Sequence, residues 1–151
     1  MSDAISRALD WLESRSIWYF QAGGGCCANE LLQAFSSKYD LERFGCVPQS
    51  SPEQADLLIV NGVVTYKAAP HLRAAYDRML SPKYVIAVGT CAISGGLFGP
   101  EESYSAVAGA DQVIPVDVYV AGCPARPEAL MNGFIKLQGK ISGQERSHLS
   151  Y

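Results

Sequence analysis

Asp56-Leu57-Leu58-Ile59-Val60 is an unbroken apolar run behind a single acid, the pattern of a strand buried on both faces of a parallel sheet. Reading outward toward the C-terminus, Leu72, Ala75, Tyr76 and Met79 keep helical spacing from Ala68 to Leu80, where Ser81-Pro82 stops the element. A second buried strand follows, Tyr84-Val85-Ile86-Ala87-Val88, ending in Gly89-Thr90-Cys91, and Gly95-Gly96 continues that loop. Tyr104 to Gln112 leads through Val113-Ile114-Pro115 to a strand over Val116 to Val120, which ends in Gly122-Cys123-Pro124. Arg126 to Gln138 closes the domain as a helix with Ala129, Leu130, Phe134 and Leu137 inward.

Toward the N-terminus, Ser51 and Pro52 suit the cap and first turn of a brief helix. Arg43 to Val47 reads as a short strand stopped by Pro48, and Ala28 to Ser37 as a helix. Ser16-Ile17-Trp18-Tyr19-Phe20 is a strand rich in aromatic and β-branched residues. Ile5, Ala8, Leu9 and Leu12 make residues 3–15 an amphipathic helix. The ordinary use of such a helix is to cover its own core, the alternative being to dock on a partner or a membrane surface. The chain thus divides into an N-terminal amphipathic helix (1–15), an α/β domain (16–141) and a polar tail (142–151).

Composition narrows the function classes. With 48% apolar and 18% charged residues over 151 positions, the chain is a globular protein able to bury one core without disulfides. Fifteen acids against twelve bases give a charge of −3, which excludes the basic footprint of a nucleic-acid binder. Five cysteines are an odd number, and Met1-Ser2-Asp3 does not open a signal peptide, so a reducing cytoplasm is expected. No stretch approaches the roughly 18 apolar residues of a membrane-spanning helix, since even Asp56 to Val64 is interrupted by Asn61 and Gly62.

Strands alternating with helices imply a parallel sheet with right-handed crossovers, and ligands of such sheets gather at the carboxyl ends of the strands. Four cysteines sit just past an expected strand end: Cys26, Cys27, Cys91 and Cys123. The first two follow Gly23-Gly24-Gly25 directly. They are poor candidates for a mutual disulfide, because neighbouring Cα atoms lie about 3.8 Å apart, short of the usual disulfide range. Glycines let the backbone approach a bulky group, and a helix N-terminus stabilises thiolates. Four thiolates hold zinc or an iron-sulfur cluster. Paired C-x2-C zinc knuckles are missing, and each ligand has glycine or proline nearby, which favours a 4Fe-4S cluster. Cys46 lies inside a strand and reads as a small core side chain.

Other chemistry is weakly represented. No G-x-G-x-x-G follows a strand and there is no P-loop. His71 and His148 read as solvated residues, and Ser36 and Ser37 have no evident triad partners.

With these motifs in place, the chain resembles the small iron-sulfur subunit of respiratory complex I and of energy-converting nickel-iron hydrogenases, from about Ser16 to Ile141. The resemblance rests on Gly25-Cys26-Cys27-Ala28-Asn29-Glu30, Tyr39-Asp40-Leu41-Glu42-Arg43-Phe44-Gly45 and Ser51-Pro52-Glu53-Gln54-Ala55-Asp56. Pro82-Lys83-Tyr84-Val85-Ile86 with Gly89-Thr90-Cys91-Ala92, and Ile114 to Val120 with Gly122-Cys123-Pro124, complete it. It implies a single-domain, flavodoxin-like α/β fold, a parallel sheet flanked by helices. One 4Fe-4S cluster is implied at the C-terminal strand ends, on Cys26, Cys27, Cys91 and Cys123. The implied function is electron relay within a membrane-bound oxidoreductase, coupled to ion translocation, on the cytoplasmic face of the cell membrane. The implied partners are a large catalytic subunit, a ferredoxin-like subunit and integral membrane subunits, with no nucleic acid. The adjacent cysteine pair resembles the quinone-reducing branch, the alternative being an energy-converting hydrogenase or a sulfur-reducing relative. Glu30, one helical turn beyond Cys27, is a candidate catalytic residue facing the partner cavity, or else a solvated helix acid.

Two readings from other classes use the same chain. A zinc-stabilised structural module would take the same four cysteines and be redox-silent. A free-standing flavin carrier would need a phosphate loop rich in Ser and Thr after the first strand, where Gly23 to Cys27 offers glycines and cysteines.

Overall fold

The computed structural model describes residues 2–101 and 103–143, and the tail from residue 144 on, His148 included, lies outside the described residues. Five parallel strands, β1 (Ile17–Gly23), β2 (Cys46–Pro48), β3 (Leu57–Asn61), β4 (Tyr84–Val88) and β5 (Val118–Val120), stand in the order β2-β1-β3-β4-β5. This is the flavodoxin-like winding, whose switch point falls between β1 and β3. The helices are α1 (Ser2–Ser14), α2 (Cys26–Ala34), α3 (Ala69–Arg78), α4 (Gly89–Ser94) and α5 (Pro127–Ile141).

All five residues of β3 are buried, as its apolar run requires, and alternation divides them between two cores. Leu57 and Ile59 pack on one face with Leu31 of α2 and Leu130, Phe134 and Leu137 of α5. Leu58 and Val60 pack on the other with Leu72 of α3 and Met79 just beyond it. Tyr19 bridges the first core, stacked on Phe35 and edge-on to Phe134.

The elements differ from the sequence expectations where glycines and side chains replace regular backbone. β1 runs three residues past Phe20, because Gly23 pairs with Asn61 so closely that a Cβ there would meet the Asn61 carbonyl oxygen at 2.0 Å. The second strand is only Cys46–Pro48; Arg43 and Phe44 form a tight turn closed by Gly45 at φ 81°. Pro48 is tolerated because β2 is an edge strand. The expected loop at Gly89-Thr90-Cys91 is instead the start of α4. β5 starts two residues late, at Val118, because the Asp117 carboxylate takes the Val85 N–H at 2.9 Å in place of a ladder carbonyl.

α1 forms as expected and packs against α5, yet it does not cover the core. Ile5, Leu9 and Leu12 are 58%, 54% and 56% exposed, so its apolar side is turned outward.

Candidate metal centre

The site is built at the carboxyl ends of β1, β4 and β5. β1 leaves the sheet through Gly24 and Gly25, and Cys26 and Cys27 are the first two residues of α2. Gly25 caps the helix at φ 85° with no side-chain hydrogen bond, so the first N–H groups of α2 stay available beside the thiols. A Cβ at Gly24 or Gly25 would meet nothing within 4 Å, which leaves this side of the site open.

The other two thiols arrive from β4 and β5, on the far side of β3 from β1. Cys91 is the third residue of α4, and Cys123 follows β5 after Gly122. Thr90 ties the two connections together, its N–H and Oγ1 both donating to the Gly122 carbonyl at 2.9 and 3.1 Å. The backbone closes on the sulfurs: a Cβ on Gly89, at φ 82°, would stand 2.4 Å from Cys27 Sγ, and one on Gly96 would stand 3.4 Å from Cys91 Sγ. Glycine is required at 89 on both counts, backbone and space.

Cys27 and Cys91 each feel the charge of other cysteines at this edge. Burial pushes the Cys27 thiol up, helped by the negative charges of Cys26 and Cys91 and opposed by a hydrogen bond from the Ala125 backbone. Cys91 is raised by burial and then by Cys123 and Cys26. Thiolates that oppose one another's ionisation need a positive group between them to be anionic together. Cys27 is buried, Cys91 half-buried, and Cys26 and Cys123 are exposed, so the site opens to the surface from an anchored base.

The donor set fits an iron-sulfur cluster. Among the described residues, no three Cys, His, Asp or Glu side chains converge closely enough to hold a single ion. A cluster presents a separate iron to each thiolate, and so accepts four sulfurs arranged around a larger group. Gly24 and Gly25 leave the room such a group needs.

Cys46 stands apart. It is fully buried and pairs with Ile17 at the amino end of the sheet, opposite the four thiols. Burial raises its thiol to about 12, so it stays a protonated core side chain. Glu30 lies on α2 half-buried and outside both ion pairs of the described residues, Arg73–Asp77 and Lys140–Asp117. His71 is exposed on α3. The concavity lined by Tyr19, Phe20, Leu32, Phe35 and Pro48 lies beside the edge strand, and none of the four thiols lines it.

One residue at this edge escapes the sequence reading. Asn61, the last residue of β3, is 1% exposed and neither atom of its amide has a hydrogen-bond partner. The only signal for it is a polar residue ending an otherwise apolar run.

Known proteins resemble this chain over most of its length. The family described as NADH ubiquinone oxidoreductase, 20 Kd subunit, matches residues 25–137. A subunit of the NADH-quinone oxidoreductase of Amoebophilus asiaticus is 49% identical over 93% of this chain and 88% of its own length. A subunit of the NAD(P)H-quinone oxidoreductase of Thermosynechococcus vestitus is 47% identical over 97% of this chain, which spans only 63% of that relative. Among solved structures, a chain of the membrane-bound sulfane sulfur reductase, an archaeal respiratory membrane complex, superposes with a TM-score of 0.84. It is 40% identical over 92% of this chain and 77% of its own. A chain of the Dm. baculatum [NiFeSe]-hydrogenase shares the fold at a TM-score of 0.63 and 14% identity, over 83% of this chain and 63% of its own.

Proposed function

The chain belongs to the family of the 20 kDa subunit of NADH ubiquinone oxidoreductase, and from that premise we propose that it relays electrons through one 4Fe-4S cluster held by Cys26, Cys27, Cys91 and Cys123. The observation that carries this reading is the backbone at Gly89 pressed against Cys27 Sγ, at the sheet edge where β1, β4 and β5 also deliver Cys26, Cys91 and Cys123. A bound cluster of this type takes up and returns one electron at a time. The chain's own part is to anchor and tune: Cys27 is held from below by the Ala125 N–H, while Cys26 and Cys123 face outward.

That outward face argues for a subunit that works in a complex. Residues 16–141 form the iron-sulfur domain, and a large catalytic subunit closes over the open thiols. A ferredoxin-like subunit feeds the site, and integral membrane subunits lie under the exposed apolar side of α1, Ile5 to Leu12. No helix among the described residues is long and apolar enough to cross a membrane. Attachment is peripheral, at the cytoplasmic face, through those membrane subunits. The acceptor is a quinone, coupled to ion translocation. The 40% identity to a chain of a sulfane sulfur reductase favours a second reading, a sulfur-linked acceptor in the same architecture.

The experiment is turnover of the assembled complex with a soluble quinone and with polysulfide as alternative acceptors. Quinone reduction alone supports the first reading and polysulfide reduction alone the second; reduction of neither by an iron-replete complex contradicts both acceptors. Within that assay, Glu30→Gln lowers turnover severalfold at unchanged iron content, through its field at the cluster or through proton delivery. Unaltered turnover and midpoint potential would make Glu30 an ordinary helix acid.

A further inference from the structure

We propose that Asn61 is a positioning residue of the thiol site, its buried amide donating a hydrogen bond to a sulfur of the bound cluster or of its thiolate ligands and so favouring the reduced state. This rests on the cluster reading above. Buried amides find partners in almost every folded protein. Here both Nδ2 and Oδ1 are without one, so exchanging the two atoms by flipping the amide does not help. A polar side chain left unpaired inside a core is expected where a bound group completes it.

The position points to the same group. Asn61 ends β3 between Gly23 of β1 and Val88 of β4, the strands that deliver Cys26, Cys27 and Cys91. By strand alternation it faces with Leu57 and Ile59, the side on which Cys27 is buried. Its carbonyl accepts the Gly24 N–H at 3.1 Å, and its Oδ1 would stand 3.2 Å from a Cβ on Gly23. The amide thus lies against the glycine connection that leads into the cysteine pair. An apolar residue would serve the core better than an unpaired amide, and a donor near cluster sulfur stabilises the extra negative charge of reduction.

The test is a redox titration of the assembled complex, followed by electron paramagnetic resonance, comparing the wild type with Asn61→Leu, Asn61→Ala and Asn61→Ser. Leucine and alanine remove the donor, one keeping the volume and one not. Both should load iron normally and lose about tenfold in the reduced-to-oxidised ratio at fixed potential, a shift of about 59 mV to lower potential for one electron. Serine keeps a donor and should recover part of the shift. An unshifted potential in iron-replete Asn61→Ala would overturn the assignment, and so would equal shifts in all three variants, which would point to packing. A wild-type complex without any iron-sulfur signal would instead overturn the cluster reading on which this rests.

Discussion

Cys123→Ser abolishes the 4Fe-4S signal or converts it to a cluster lacking one iron, and electron transfer falls by at least two orders of magnitude. The size follows from the proposed ligand set: if four thiols hold the cluster, removing the exposed Cys123 would leave one iron without its ligand. Cys46→Ser is the matched control, because Cys46 lies at the other end of the sheet. That variant should lose stability, since a hydroxyl replaces a buried thiol, on the order of 1–3 kcal/mol, while its cluster spectrum stays as in the wild type. Absorbance and electron paramagnetic resonance of the two variants at equal protein concentration check the pair. Loss of the signal in the Cys46 variant would mean that the ligand set is wrong.

Gly89→Ala has an effect of similar size without touching a ligand. The backbone there is left-handed, which costs a non-glycine residue roughly 1–3 kcal/mol, and the added methyl would stand 2.4 Å from Cys27 Sγ. Either β4 retreats from α2 or Cys27 leaves its place, and both separate thiols that must converge. Iron content of the purified complex should fall below a fifth of the wild-type value. Gly25→Ala isolates the backbone part, because Gly25 also has a positive φ, 85°, but has nothing within 4 Å of its Cβ position. It should retain most of its iron. Equal retention in both variants would show that the approach to Cys27 is unimportant.

How much of this was legible in the sequence depends on whether a feature is local. β3 and β4 were readable because burial on both faces leaves continuous apolar runs, and Tyr84–Val88 matches its expected bounds. That Cys26, Cys27, Cys91 and Cys123 follow strand ends at one edge was readable for a topological reason: in a parallel sheet every strand end arrives at one edge, so residues distant in sequence share it. Cys46 could be set aside because it lies within a strand rather than past one. α4 was not readable, since its six residues open with glycine and lack the periodic length of a helix. Nor was the orientation of α1, whose apolar residues are plain in the sequence while the side it presents to α5 is decided by docking. Asn61 was invisible as a site residue for the same reason, because its burial is created by Gly23 and Val88 on flanking strands.

The most direct test is quantitative iron, acid-labile sulfide and zinc analysis of the chain purified anaerobically within its complex, with its partner subunits' clusters subtracted by repeating the measurement on a complex carrying Cys26→Ser and Cys27→Ser together. The difference should be about four irons and four sulfides per chain with no zinc. A difference of one zinc and no iron would contradict the account.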